Sequence, residues 1–278
     1  MNQNWQTLAL AVASAAIAVS GVAVGAPLVQ YTFSEGTGTT TANLGTLGPV
    51  ADLTLSGGAV FSTAGNTPLG VGHALDNTAT AAASPAGIGG KAQSAGDVTG
   101  LDSLPAATMT GWYKAESLGT LARLLDRADN AVGATQWSLY IDGDINRLQL
   151  NLGGTTYVSG TGYGVTDAWV FFAVVVNDFD GFSNRIRFYL GSETASVSAA
   201  GDLASSSSGL GDSDKPLTVA NRFTGTRAFD GLMFDVRIYG SALSPDELEV
   251  VRLQAIPEPA SAGLLAAGCG LLLRRRRG

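Results

Sequence analysis

The 278-residue chain has a single cysteine, Cys269, and a single histidine, His73. That poverty excludes a disulfide framework, a Cys/His zinc cluster and any multi-histidine metal site. Charge is scarce too, at 14% Asp, Glu, Lys and Arg, against roughly 25% in an average domain. Glutamate is rarest, with 6 residues to 17 aspartates. Aspartate bonds nearby backbone and favours turns, so this balance argues against a helix bundle. No Gly-x-Ser-x-Gly elbow exists to activate a serine beside His73, which leaves that imidazole a loop or core residue. What is abundant is glycine, 37 residues, about twice the usual share. The composition reads as one glycine- and aspartate-rich β domain rather than a nucleotide-binding α/β enzyme.

The two ends stand apart from this body. Leu8 to Val24 is an apolar run of small residues that continues into Gly25-Ala26-Pro27. It reads as a secretory signal peptide over 1–26, to be cut by signal peptidase, although no Lys or Arg precedes it. At the other end Ile256-Pro257-Glu258-Pro259 leads into fourteen apolar or small residues, Ala260 to Leu273, and then Arg274, Arg275, Arg276 and Arg277. Fourteen residues at ~1.5 Å make a helix of about 21 Å, short of a ~30 Å hydrocarbon core. The arginines can snorkel to cytoplasmic headgroups and hold that end inside. The order of Pro257, Glu258 and Pro259, apolar segment and Arg274 to Arg277 resembles the PEP-CTERM sorting signal of bacterial exopolysaccharide-associated proteins. That resemblance implies transient membrane insertion over 257–278 and processing by an exosortase; a plain tail anchor is the alternative. Between the ends, residues 27–256 hold 12 basic and 22 acidic side chains, a net charge of −10. So acidic a surface repels nucleic acid.

Alternating apolar residues recur there in short runs between Gly, Asp, Asn and Ser. Val29, Tyr31 and Phe33 share one face, as do Trp137, Leu139 and Ile141, and then Leu148, Leu150 and Leu152 beyond Asp142-Gly143-Asp144. An Asp-Gly between two alternating runs predicts a hairpin. Trp169 to Val176 is apolar throughout, as in a strand covered on both faces. Phe234, Val236 and Ile238 are expected inward, with Asp235, Arg237 and Tyr239 outward. Ala79 to Gly100 shows no strand pattern and is expected to be irregular. Ser244-Pro245-Asp246-Glu247 opens the only convincing helix, with a capping box. The pattern predicts an all-β fold, an antiparallel β-sandwich or jelly roll over 27–256 with one short C-terminal helix.

Leu28 to Gly36, Ala107 to Lys114, Trp169 to Asn177, Arg187 to Gly191 and above all Phe229 to Ser244 resemble the LamG-like jelly roll of the concanavalin A-like lectin/glucanase superfamily. The resemblance covers roughly 28–253 and implies a lectin-type sandwich. It departs from the family at Asn43, where an Asp is common, and at Val170. It also implies a structural Ca²⁺, with Asp235 of the last strand meeting the turn near Glu35.

The residues carry little catalytic chemistry. Glycosidases need two acids on one face, and no Glu-x-Asp-x-x-Glu pattern occurs; Asp142/Asp144 and Asp178/Asp180 sit in predicted turns, and no catalytic residue is assigned. Gly160 to Gly164 is no phosphate cradle, since no helix follows. Sugar binding calls for aromatics near loops or outward positions, for which Tyr140, Tyr157, Tyr163 and Phe223 are candidates. The expectation is an exported, non-catalytic binding or adhesion module for a polysaccharide or extracellular matrix, sorted to the cell surface. A structural matrix protein without a ligand, and a glycan hydrolase or lyase, are the alternatives.

Overall fold

The computed structural model describes residues 22–78, 89–129, 131–180, 185–203 and 209–256. The sorting segment, most of the signal peptide and the serine run 205–208 lie outside the described residues. Sixteen strands form two eight-stranded antiparallel sheets stacked as a sandwich. The first sheet holds β1 (Val29–Tyr31), β4 (Val60–Phe61), β5 (Leu75–Asp76), β7 (Ala106–Ala115), β12 (Val170–Asn177), β13 (Ile186–Ser192), β14 (Ser198–Leu203) and β16 (Gly231–Tyr239). The second holds β2 (Thr40–Thr41), β3 (Leu53–Ser56), β6 (Lys91–Asp97), β8 (Ala122–Arg127), β9 (Trp137–Asp142), β10 (Arg147–Leu152), β11 (Thr155–Thr161) and β15 (Pro216–Val219). Their orders are β14-β13-β12-β7-β16-β5-β4, with β1 also on β16, and β11-β10-β9-β8-β15-β6-β3-β2.

The first sheet is apolar on both faces. Val170, Phe172, Val174 and Val176 of β12 enter the core between the sheets. Trp169, Phe171, Ala173 and Val175 form a second cluster with Trp112, Tyr239 and the helix α1 (Pro245–Leu253), through Leu248 and Val251. Each such large side chain contributes roughly 1.5–3 kcal/mol when withdrawn from water. Helix α1 starts where expected. Ser244 Oγ accepts from the Glu247 amide, and the Glu247 carboxylate accepts from the Ser244 amide at 2.8 Å.

The second sheet is amphipathic. Trp137, Leu139 and Ile141 of β9 and Leu148, Leu150 and Leu152 of β10 all enter the inter-sheet core, with Asp142 opposite Arg147 across a four-residue hairpin loop. The other face of this sheet carries polar and charged side chains.

Two expectations are corrected. Lys91–Asp97 is a strand between β15 and β3, although it contains no β-branched or aromatic residue. Its small Ala92 faces the core, so pairing on both sides, not propensity, makes it a strand. In β16 a bulge at Asp235, with φ +46°, shifts the register between Phe234 and Arg237. An extra residue reverses the alternation. Met233, Val236 and Ile238 therefore face the inter-sheet core, and Phe234 turns outward to join the cluster under α1.

Candidate functional site

The expected calcium site does not assemble. Both Asp235 carboxylate oxygens are taken by Arg237, at 2.8 and 2.6 Å, and Oδ1 also accepts from Gln30 Nε2 at 2.9 Å. Glu35 Oε1 accepts from Thr41 Oγ1 at 2.7 Å and from the Ala42 amide at 3.1 Å. Among the described residues no three acidic, histidine or cysteine side chains group as a metal would need. Calcium takes six to eight oxygens, and these residues do not fit it. Arg237 instead reaches Gln254 at the end of α1 at 2.5 Å, so the pair ties helix to sheet. Asn43, where the family resemblance leads one to expect Asp, uses both halves of its amide: Oδ1 accepts from the Gln30 and Gly45 amides, and Nδ2 donates to Gly48 O.

Two of the four aromatic candidates lie in the core rather than at a surface. Tyr163 is fully buried; its hydroxyl donates to Tyr189 O at 2.9 Å and its own carbonyl accepts from Tyr113 Oη at 2.5 Å. Tyr157 pairs with Leu150 on the inward face. Alternation along a strand separates the faces, and the register, not the proximity of a loop, decides which face a tyrosine takes. Tyr140 is on the polar face of the second sheet, opposite Arg123 on one side and Gln149 on the other. Phe223 is half-buried in the loop after β15, where its carbonyl accepts from Lys91 Nζ.

The registers of the second sheet align one polar residue from every strand. Thr40, Thr54, Gln93, Thr218, Asp126, Ser138, Asn151 and Thr156 are successive cross-strand partners. At ~4.8 Å per strand this row runs about 34 Å across the sheet. Beside it lies a second row, Arg123, Tyr140 and Gln149.

A bulge in β8 between Arg123 and Leu125 creates this arrangement. Leu124 and Leu125 both enter the core, and Arg123 and Asp126, three apart, are left on the same face. An unbulged strand would put them on opposite faces, which is why the strand run Ala122–Arg127 carries no periodic sign of the site. Arg123 lies over Tyr140, its guanidinium carbon 4.1 Å from the ring centroid, a cation–π contact that covers one face of the ring. Its Nε is 3.5 Å from Asp126 Oδ1, and its Nη1 donates to Leu121 O at 2.9 Å. Ser138 Oγ donates to Asp126 Oδ1 at 2.5 Å. Burial pushes the Asp126 carboxyl up to about 6, against the opposing pull of Ser138, Arg123 and Arg222. Burial, then repulsion from Arg222, brings Arg123 down to about 10.

The loop after β15 adds Arg222 and Arg227. Two buried asparagines set its position. Asn221 Oδ1 accepts from the Arg222 and Arg227 amides at 2.8 Å, and its Nδ2 donates to Gly89 O at 3.0 Å. Asn77 Nδ2 donates to Gly90 O, Ala220 O and Phe229 O at 2.9, 3.2 and 2.9 Å. Several polar atoms of the face are buried without a hydrogen-bond partner: Gln93 Oε1, Thr218 Oγ1 and Arg222 Nε. Buried polar groups are nearly always satisfied, and these stand among the exceptions.

A separate cavity of about 520 Å³ opens between the loops at one edge, lined by Ser103, Gln136, Asp178 and Asp212 among others. Asp178 Oδ1 there is also buried without a partner.

Comparison with known proteins agrees with the architecture. Domain 4 of AbnA, a GH43 extracellular arabinanase of Geobacillus stearothermophilus solved with arabinotriose, superposes with a TM-score of 0.57 at 16% identity, covering 81% of this chain and 98% of that one. A botulinum neurotoxin type C structure, whose cell entry depends on two ganglioside molecules, gives 0.56 at 10% identity over 84% of this chain and 52% of its own. The binding domain of Paraclostridial Mosquitocidal Protein 1 gives 0.55 at 11% identity over 81% of this chain and 51% of its own. At such identities the likeness is one of fold. No curated protein matches the chain. Residues 87–249, more than half of the sequence, match the family described as the concanavalin A-like lectin/glucanases superfamily, and the chain belongs to that family.

Proposed function

We propose that the protein is an exported, non-catalytic module that binds polysaccharide, and that the polar row across the second sheet is the track on which the glycan lies. The observation that carries this reading is the row itself: eight strands each present a polar side chain in line, with unpartnered polar atoms among and beside it. The exposed Thr40, Thr54 and Thr156 and the half-buried Gln93 and Asn151 of the row offer hydrogen bonds to sugar hydroxyls. Similar folds are known in complex with arabinotriose and in a ganglioside-dependent toxin, which supports a glycan partner. Binding rather than hydrolysis is favoured because the row holds one carboxylate, Asp126, whereas glycoside hydrolysis uses a pair.

In this reading residues 1–26 direct export and are removed by signal peptidase, 27–256 form the binding domain, and 257–278 insert transiently in the membrane until an exosortase-type enzyme acts on them. The mature protein is then held at the cell surface or in the exopolysaccharide matrix. Affinity electrophoresis of the exported protein against a polysaccharide panel tests the binding. Saturable retardation that survives high salt, and that is lost in Asn151→Ala and Gln149→Ala variants, is the expected result. Loss in Asp178→Ala instead would move the site to the edge cavity. No binding at all would leave a structural matrix protein, and release of reducing ends would make it an enzyme. Mass spectrometry of the exported form tests the sorting, since an intact tetra-arginine terminus would contradict processing.

A further inference from the structure

Resting on that glycan-binding reading, we infer that the track selects an acidic polysaccharide, with Arg222 as the residue that meets the sugar carboxylate. Charge beside the track is unbalanced. The chain is acidic, at −7 overall, yet Arg123 and Arg222 both face one carboxylate, Asp126, with Arg227 beside them. Arg123 is lowered by both neighbouring arginines and raised by Asp126. Asp126 is spent on Arg123, at 3.5 Å, and on Ser138. Arg227 donates to Thr120 O at 3.3 Å.

Arg222 is left over. It is 9% exposed, burial holds its guanidinium below the usual arginine range, and no described residue accepts a hydrogen bond from its side chain. A cation nine-tenths buried whose Nε has no hydrogen-bond acceptor is costly, and guanidinium is shaped for bidentate capture of a carboxylate. A uronic acid lying along the adjacent row would supply the missing anion. An acidic protein has no general attraction for such a polymer, so any binding must come from this local patch.

The test compares the full exported protein on polygalacturonate and alginate with the same polymers after chemical reduction of their carboxyl groups. The acidic forms are expected to bind and the reduced forms to bind tenfold or more weakly. Arg222→Gln should lose tenfold or more on the acidic forms and nothing on the reduced ones. Acidity adds a second readout. The charged and titratable groups facing Asp126 are Arg123 and Arg222, with Tyr140 reached through Arg123, and these cations keep their protons near neutrality. Lowering the pH from 7 to 5 neutralises Asp126 while uronates stay ionised, so affinity for the acidic forms should rise, and Asp126→Asn should abolish that rise. Equal binding of acidic and reduced polymers, or an unchanged Arg222→Gln, overturns the acidic preference and leaves the glycan reading standing. Failure of every polysaccharide, acidic or neutral, overturns both.

Discussion

Asp126 is fully buried between Arg123 and Ser138, and its pKa of about 6 stands above the ordinary 3.8. The folded state therefore holds the proton more tightly than the unfolded chain. The stability this contributes is complete below about pH 4 and is lost as the pH rises through 6. Two pKa units correspond to about 3 kcal/mol. Denaturant unfolding between pH 4 and 7 should show a fall of that order in the native protein and none in Asp126→Asn; identical profiles would refute the assignment. Arg123→Gln strands the carboxylate without its cation. It should cost about 3–5 kcal/mol at pH 7 and much less at pH 5, where Asp126 is protonated. At this scale the sequence named Tyr140 but missed Arg123, Asp126 and Arg222. A charged residue in a strand announces no partner, and these three meet only through the bulge in β8 and the loop after β15. Tyr157 and Tyr163 err the other way: nothing local tells a tyrosine that enters the core from one that faces water.

At the scale of elements, the helix and the hairpin were legible because their signals are local. Ser244→Ala removes the cap of α1 and should cost about 1 kcal/mol, read as a small loss of unfolding free energy with no change in binding. The chain entering β6 is far less tolerant. A Cβ on Gly90 would stand 2.1 Å from Asn77 Oδ1 and 2.5 Å from the Ala59 amide, and neither is the free end of a flexible side chain. Gly90→Ala should therefore destabilise by several kcal/mol, whereas Gly96→Ala, with open space around the added atom, should be close to neutral. Thermal melts of the two variants distinguish these outcomes. The strand β6 itself was invisible in the sequence, because Ala, Gln, Ser and Gly carry no β signal and only the neighbours β3 and β15 commit it.

Over the whole molecule, the asymmetry between the sheets governs what the protein can offer. The first sheet is closed on its outer face by α1, Leu243 and Ala255, so the second is left to present a polar face. Asp235 and Arg237 satisfy one another, and adding Ca²⁺ or a chelator should leave the melting temperature unchanged; a rise with Ca²⁺ would show a site elsewhere.

The one-dimensional pattern was enough to establish an all-β sandwich, a strand buried on both faces, a hairpin after Asp142, a capped C-terminal helix and the resemblance to lectin-type folds. All of these rest on the alternation of apolar residues and on turn and cap chemistry, which act over a few positions. Tertiary structure alone decided which polar residues stand in line across the second sheet. That line depends on cross-strand register and on the bulge in β8, which reverses the facing of every residue beyond it. A one-residue irregularity leaves no periodic trace in the chain, yet it determines whether an arginine and an aspartate three positions apart meet or are separated by the thickness of a sheet.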